Sequence, residues 1–328
     1  MRLRHLQLPH SWPALYPPYS LASRVQEHLR RCQLDFKDAA TPPQPPLGVT
    51  AEARLPQQQQ APPPTLLSFT PLPTYTLGRR QTAPLTDLEA SRLRAPLHMP
   101  DRGGATLPVR VVHSPRGGLV TYHGPGQTVL WPVLDLKSSH HKQFTVRCYS
   151  RLLEDTTIAT LRSLFDLTAF TTDDPGVWVH PRTSSSSSPS QAAKDVAKIA
   201  ALGVHLRRHV SALGTAINVA MPGSDVSEEM NPWARIVACG LEGKTVTSAA
   251  TELEGGISSL HRRLGDSQHE EYAVAAAWAK ELARRIGVDG VDTAGQHDVV
   301  ALVKDVLSKS PDATIEETEY VKSLERLL

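Results

Sequence analysis

The stretch Arg116-Gly117-Gly118-Leu119-Val120-Thr121-Tyr122-His123-Gly124-Pro125-Gly126-Gln127, running on into the apolar segment Val129 to Leu136, constrains the fold more than any other part of the chain. Its two glycine pairs allow sharp bends or close backbone approach, because no Cβ intervenes. Pro125 fixes one backbone dihedral between Gly124 and Gly126 and stiffens that turn. The apolar run that follows predicts a buried strand. A rigid polar turn carrying Arg116, His123 and Gln127, joined to a core strand, is suited to forming a pocket wall.

The 328 residues suffice for one large domain or two modest ones. A net charge of +2 gives no strong basic field of the kind nucleic acid demands, so no nucleic-acid partner is expected. No apolar stretch is long enough to span a bilayer, and no membrane role is expected. Three cysteines, Cys32, Cys148 and Cys239, make no disulfide framework and fit a reducing compartment. The N-terminus bears Arg2, Arg4 and Arg24 with no acidic residue before Glu27. That composition suits an organellar transit segment, or equally a basic amphipathic first segment of the folded domain.

Helical spacing of Leu21, Val25, Leu29 and Cys32 predicts a helix over 20–34. Residues 39–64, rich in Pro and Gln, and the segment around Ser184 to Ser188 are expected to be disordered insertions, since neither can bury enough apolar surface. Strands are expected over Leu66 to Leu77, Val109 to Val112, Phe144 to Tyr149 and Gly176 to Val179, with 82–106 as irregular loop. Leu152 to Leu167 is expected to be helical. Alternation in Val204, Leu206 and Val210 predicts a half-buried strand, with a turn at Ala212-Leu213-Gly214 and a returning strand over Ala216 to Ala220. A short strand over Ile236 to Ala238 would deliver Cys239 to a loop. The tail reads as helical, with a Ser267/Glu270 capping box, a stop at Gly287 and a further helix from His297 to Leu307.

Cys239, between an apolar run and Gly240, is the strongest nucleophile candidate, since a thiol at a strand end can be exposed. Chemistry there needs a thiolate, which a neighbouring cation favours. The competing reading is a buried core cysteine. Cys148 and Cys32 fall in strand and helix patterns and read as structural. Lys198 could be a partly desolvated partner of a thiolate, or an edge lysine with its head in water. His123 could bind substrate, orient a carbonyl or satisfy the turn. Gly243-Lys244-Thr245 lacks the upstream glycine of a phosphate loop, position 238 being Ala. No His/Cys spacing matches a zinc site, so no metal is expected.

Taken in order, these segments resemble the lipoyl(octanoyl) transferase family. The resemblance runs through Arg4-His5-Leu6, Tyr75 to Arg80, Arg116 to Gln127, Pro175 to Val179, Lys198 to Gly203 and Ile236 to Leu241. It implies an α/β (α+β) fold of mixed sheets flanked by helices, similar to the biotin and lipoate protein ligase catalytic domain. The catalytic domain would span 1–260, with insertions at about 39–64 and 182–196 and a C-terminal helical extension over 261–328 that braces or extends it. The family's acyl-thioester cysteine falls on Cys239 and its partner lysine on Lys198. Its substrate-binding segments fall on Arg116, Gly117, Gly118, Leu119, Val120, Thr121, Tyr122 and His123, on Ala201, Leu202 and Gly203, and on Gly214, Thr215 and Ala216. Ala238 and Leu213 depart from the family's usual Pro and His.

The activity implied is transfer of an octanoyl or lipoyl group from acyl carrier protein to a lysine of lipoyl domains of 2-oxoacid dehydrogenases and of the glycine cleavage H protein. It would need no cofactor, and the enzyme would act as a mitochondrial monomer. The rival readings are an ATP-dependent lipoate ligase and a non-catalytic scaffold on the same fold.

Overall fold

A computed structural model describes residues 1–11, 15–40, 61–100, 104–182, 195–222, 226–236, 245–265 and 270–327. Among them a nine-stranded sheet organises the molecule. Its strands are β1 (Leu3–Gln7), β2 (Thr65–Phe69), β8 (Gln127–Val133), β9 (Ala169–Phe170), β10 (Val177–Val179), β11 (Ala197–Arg207), β12 (Val210–Asn218), β13 (Thr245–Val246) and β14 (Val291–Thr293). They run in the order β14-β1-β2-β8-β12-β11-β10-β9, with β13 also pairing β11. The β14–β1–β2 and β11–β13 pairs are parallel and the rest antiparallel, so the sheet is mixed. A smaller sheet, in the order β6-β3-β7, combines β3 (Thr74–Leu77), β6 (Arg110–His113) and β7 (Val120–His123).

Strand alternation divides the apolar side chains between two faces. Leu66, Leu130, Ala200 and Ile217 point into one core, shared with helices α3 (Val146–Phe165), α4 (Ala249–Glu252), α5 (Gly256–Leu264) and α6 (Glu270–Ile286). Leu67, Val129, Trp131 and Ala216 point into the other, under α1 (Tyr19–Ala40), α7 (Gln296–Ser308) and α8 (Ile315–Leu327). Because β8 is covered on both faces, all seven of its residues are buried, as the apolar run at 129–136 suggested.

Residues 1–11 and 15–40 belong to this architecture: Leu3 and Leu6 are fully buried, and Arg24 pairs with Asp312 and Glu317 of the tail. The tail is equally embedded. Trp278 and Leu282 of α6 are fully buried beside α3, and β14 extends the main sheet.

Several expectations need correction. Phe144 to Tyr149 is not a strand: Thr145 caps α3 by accepting from the Cys148 N–H, so Cys148 lies exposed in a first helical turn. The region 82–106 holds α2 (Asp87–Arg94), entered through a Thr86/Glu89 capping box, and the β4 (Leu97–Met99)–β5 (Ala105–Leu107) hairpin. Residues 212–214 are no turn: β12 runs straight through them, and the chain reverses at Arg208 and His209, both in the left-handed region. Ile236 follows a short 3-10 helix (Pro232–Arg235) with an extended backbone, and the rest of the strand expected over Ile236 to Ala238 lies outside the described residues. The helix expected over 20–34 continues to Ala40. Residues 41–60, 183–194 and 266–269, which carry the insertions and Ser267, lie outside the described residues, as do Ala238, Cys239, Gly243 and Lys244.

Candidate active site

Lys198 stands on β11 directly opposite Trp178 of β10, so the two side chains share a face of the sheet. Its ammonium lies 4.7 Å from the Trp178 ring centroid and donates to the Pro175 carbonyl at 3.0 Å. With the residue only 6% exposed, the edge-lysine reading fails, because the head group is held in a largely dry environment. On the same stretch of β11, β13 pairs Thr245 with Ala197 and Val246 with Lys198. The chain therefore re-enters the described structure beside Lys198, six residues after Cys239.

A groove of about 1660 Å³ opens over this lysine. Its walls include Arg116, Gly117, Gly118, Glu154, Pro175, Leu202 and Gly203, with Cys148 and Arg147 on the α3 side. Arg116, Leu202 and Gly203 also border a second cavity of about 40 Å³, lined by Tyr19, Thr121, His123, Trp131, Ala201 and Leu213 to Ala216. Of the sequence-expected residues, Arg116, Gly117, Gly118, Thr121, His123, Lys198, Ala201, Leu202, Gly203, Gly214, Thr215 and Ala216 thus converge on two adjoining cavities. Leu119, Val120 and Tyr122 line neither. Strand alternation turns Val120 and Tyr122 away: Tyr122 packs on Tyr75 and Trp233 in a separate small core. The smaller cavity holds about one water, far less than an open acyl tunnel.

Arg116 is pinned from behind. Its guanidinium donates to both Oγ1 and the carbonyl of Thr76 and to the Gly117 carbonyl. Gly78 lets the two loops meet there, since a Cβ on it would come 2.4 Å from the Gly118 oxygen and 2.8 Å from Arg116 Nη1.

A chain of amides sets the tautomer of His123. The Thr247 carbonyl can only accept, so Asn218 Nδ2 donates to it at 2.9 Å and Asn218 Oδ1 accepts from Gln127 Nε2, also at 2.9 Å. Gln127 Oε1 is then the acceptor facing His123 Nδ1 at 2.7 Å. Nδ1 therefore carries the proton and Nε2 the lone pair. The ring stacks on Tyr19 with centroids 5.5 Å apart. Burial pushes its pKa down to about 4, and Arg116 adds to the effect, so the ring is neutral at ordinary pH.

Sequence reasoning missed several contributors. Tyr19 and Trp131 line the small cavity from positions that read as ordinary core. Buried Glu271, at the start of α6, accepts from the Gly126 N–H at 3.0 Å and so holds the glycine turn from the far end of the chain. A Cβ on Gly126, whose φ is +86°, would strike the Ala220 oxygen at 2.4 Å. Leu213, noted for departing from the usual His, lines the small cavity with its backbone in the left-handed region at φ 62°. A Cβ on the adjacent Gly214 would lie 2.2 Å from the Leu130 oxygen, so glycine serves close packing there and not a turn.

The chain matches the family model of the lipoyl protein ligase A/B catalytic domain over residues 49–260. It is 28% identical to the mitochondrial octanoyltransferase of Saccharomyces cerevisiae, over 94% of this chain and 88% of that one. It is 35% identical to the mitochondrial octanoyl-acyl-carrier-protein:protein N-octanoyltransferase of Danio rerio, over 58% of this chain and 69% of that one. Ta0514 from T. acidophilum, assigned as a lipoate protein ligase, superimposes with a TM-score of 0.50 at 15% identity, covering 94% of this chain and 95% of that one, and shows the shared fold. The mixed sheet, the groove over Lys198 and these matches lead to one conclusion: the chain belongs to the octanoyltransferases of the lipoyl protein ligase A/B catalytic-domain family.

Proposed function

We propose that this acyltransferase moves an octanoyl group from octanoyl-acyl carrier protein to a lysine of lipoyl domains, through a thioester on Cys239. The setting of Lys198 carries the reading: a largely buried lysine whose ammonium is held on the Pro175 carbonyl in the groove wall, on the strand beside which the chain re-enters the described structure six residues after Cys239. Further support comes from the name of the zebrafish relative, which specifies an acyl-carrier-protein donor and a protein acceptor.

In the first half-reaction the Cys239 thiolate attacks the thioester carbonyl carbon. The carrier's thiolate leaves and is protonated, with Lys198 as the donor. In the second, the acceptor lysine's amine attacks the Cys239 thioester, forming the amide C–N bond as the C–S bond breaks. The proton shed by the amine goes to Lys198, restoring the ammonium. Thioester to amide is downhill, so no nucleotide is consumed. The acyl tail lies toward the cavity bounded by Tyr19, Trp131 and Leu213, and backbone amides at Gly117 and Gly118, which line the groove, face the oxyanion.

The acceptors are the lipoyl domains of 2-oxoacid dehydrogenases and the glycine cleavage H protein. The enzyme works as a monomer in mitochondria, a location supported by the names of the yeast and zebrafish relatives. The segment 261–328 braces the catalytic domain, supported by the Glu271 contact with the glycine turn. Cys239→Ser tests the reading against an ATP-dependent ligase. Transfer from octanoyl-acyl carrier protein without ATP is expected to disappear in the variant; retained, ATP-dependent attachment of free octanoate would favour the ligase.

A further inference from the structure

One peptide group links a carboxylate to Lys198. The Pro175–Gly176 unit accepts the Lys198 ammonium on its carbonyl at 3.0 Å and donates its N–H to Glu154 Oε1 of α3 at 3.1 Å. Gly176 makes this geometry possible: its φ is +125°, and a Cβ there would lie 2.6 Å from the Ala200 oxygen and 3.4 Å from Lys198 Cε. The β10–β11 register shifts between Val177 and Trp178, immediately after this peptide, so the ladder alone does not hold it.

We infer that Glu154 is a positioning residue for Lys198, fixing the ammonium through the Pro175–Gly176 peptide and keeping it charged. The inference rests on the role proposed above for Lys198. A carboxylate on the amide end of a peptide polarises it, so the carbonyl becomes a better acceptor for the ammonium at the other end. Its negative charge also acts on Lys198 across the groove wall.

Glu154 is committed to this contact. The neighbouring Arg151 pairs instead with Asp155 at 3.1 Å, and Glu154 lines the groove beside Pro175 and Lys198. Burial pushes its carboxyl above the ordinary range; the Gly176 N–H, Arg151 and Lys198 draw it back, and Asp155 opposes them.

The test compares Glu154→Gln and Glu154→Ala with the parent protein. Gln can still accept the Gly176 N–H, so folding is expected to survive, with an unchanged melting temperature. Single-turnover acylation by octanoyl-acyl carrier protein is expected to slow roughly tenfold in the Gln variant, and further in the Ala variant, with little change in KM; a tenfold loss corresponds to about 1.4 kcal/mol. The alkaline limb of its pH profile is expected to move down by about one pH unit, because one negative charge that acts on the ammonium is removed.

A second readout does not depend on thioester chemistry: the pH dependence of Lys198 acetylation by acetic anhydride, followed by peptide mass spectrometry. Lys198 is expected to become reactive at lower pH in Glu154→Gln. An unchanged Lys198 titration in that variant would overturn the inference whatever Cys239 does. A shifted titration in a protein that forms no acyl-enzyme would uphold the inference and remove the proposed reaction.

Discussion

Acid should destabilise this protein through two histidines the fold keeps neutral. His5 lies on β1 with Nε2 2.8 Å from Ser68 Oγ, and burial pushes its pKa down to about 4. His123 is held near the same value by burial. Both would titrate near 6.5 in the unfolded chain. Above pH 6.5 neither state carries these protons and the full stability is present. As pH falls from 6.5 toward 4, the unfolded chain takes up protons that the folded chain refuses, so stability is lost. At pH 4.5 the loss is about 2–3 kcal/mol for each histidine, together a large share of the roughly 5–15 kcal/mol that such folds possess. Urea unfolding at pH 7.0 and 4.5, on the parent and on His5→Gln and His123→Gln, measures it. Each substitution is expected to shrink the pH-dependent loss by about 2 kcal/mol, whatever it does to stability at pH 7.0. An identical loss in all three proteins would refute the reasoning, and with it the neutral His123 in the pocket.

Two further outcomes follow. Leu213→Ala leaves the strained backbone in place and removes a side chain that walls the small cavity. It is expected to cost about 2–3 kcal/mol and to raise the rate with decanoyl relative to octanoyl donor; an unchanged ratio would mean that the tail goes elsewhere. Ending the chain after Leu264 removes α6 with fully buried Val274, Trp278, Leu282 and Ile286. At about 1.5–3 kcal/mol per buried large side chain, cooperative thermal unfolding is expected to vanish. A sharp melt of the shortened protein would mean that the tail is a dispensable appendage.

What could be read from the residues was what local pattern encodes. β8 was legible because a strand covered on both faces is apolar throughout. Lys198 and the glycine turn were legible as motif positions. The start of α3 was not, because Phe144, Val146 and Cys148 alternate with Thr145, Arg147 and Tyr149 as a strand would; the Thr145 cap was the overlooked signal. Gly214 suggested a turn, yet its role is to clear the Leu130 carbonyl, while the actual reversal uses Arg208 and His209, which carry none of the usual turn chemistry. Glu154 and Glu271 had no local signature. Each acts on a peptide N–H brought to it by tertiary packing, 22 and 145 residues away in sequence.

The most direct test of the proposed chemistry is intact-mass analysis of the purified protein after brief exposure to octanoyl-acyl carrier protein without an acceptor. The account predicts one octanoyl adduct per chain, hydroxylamine-labile, mapped to the peptide containing Cys239 and discharged when a lipoyl domain is added. A protein that stays unmodified while octanoyl groups still reach the lipoyl domain, or that carries the adduct on Cys148 or Cys32, would contradict it.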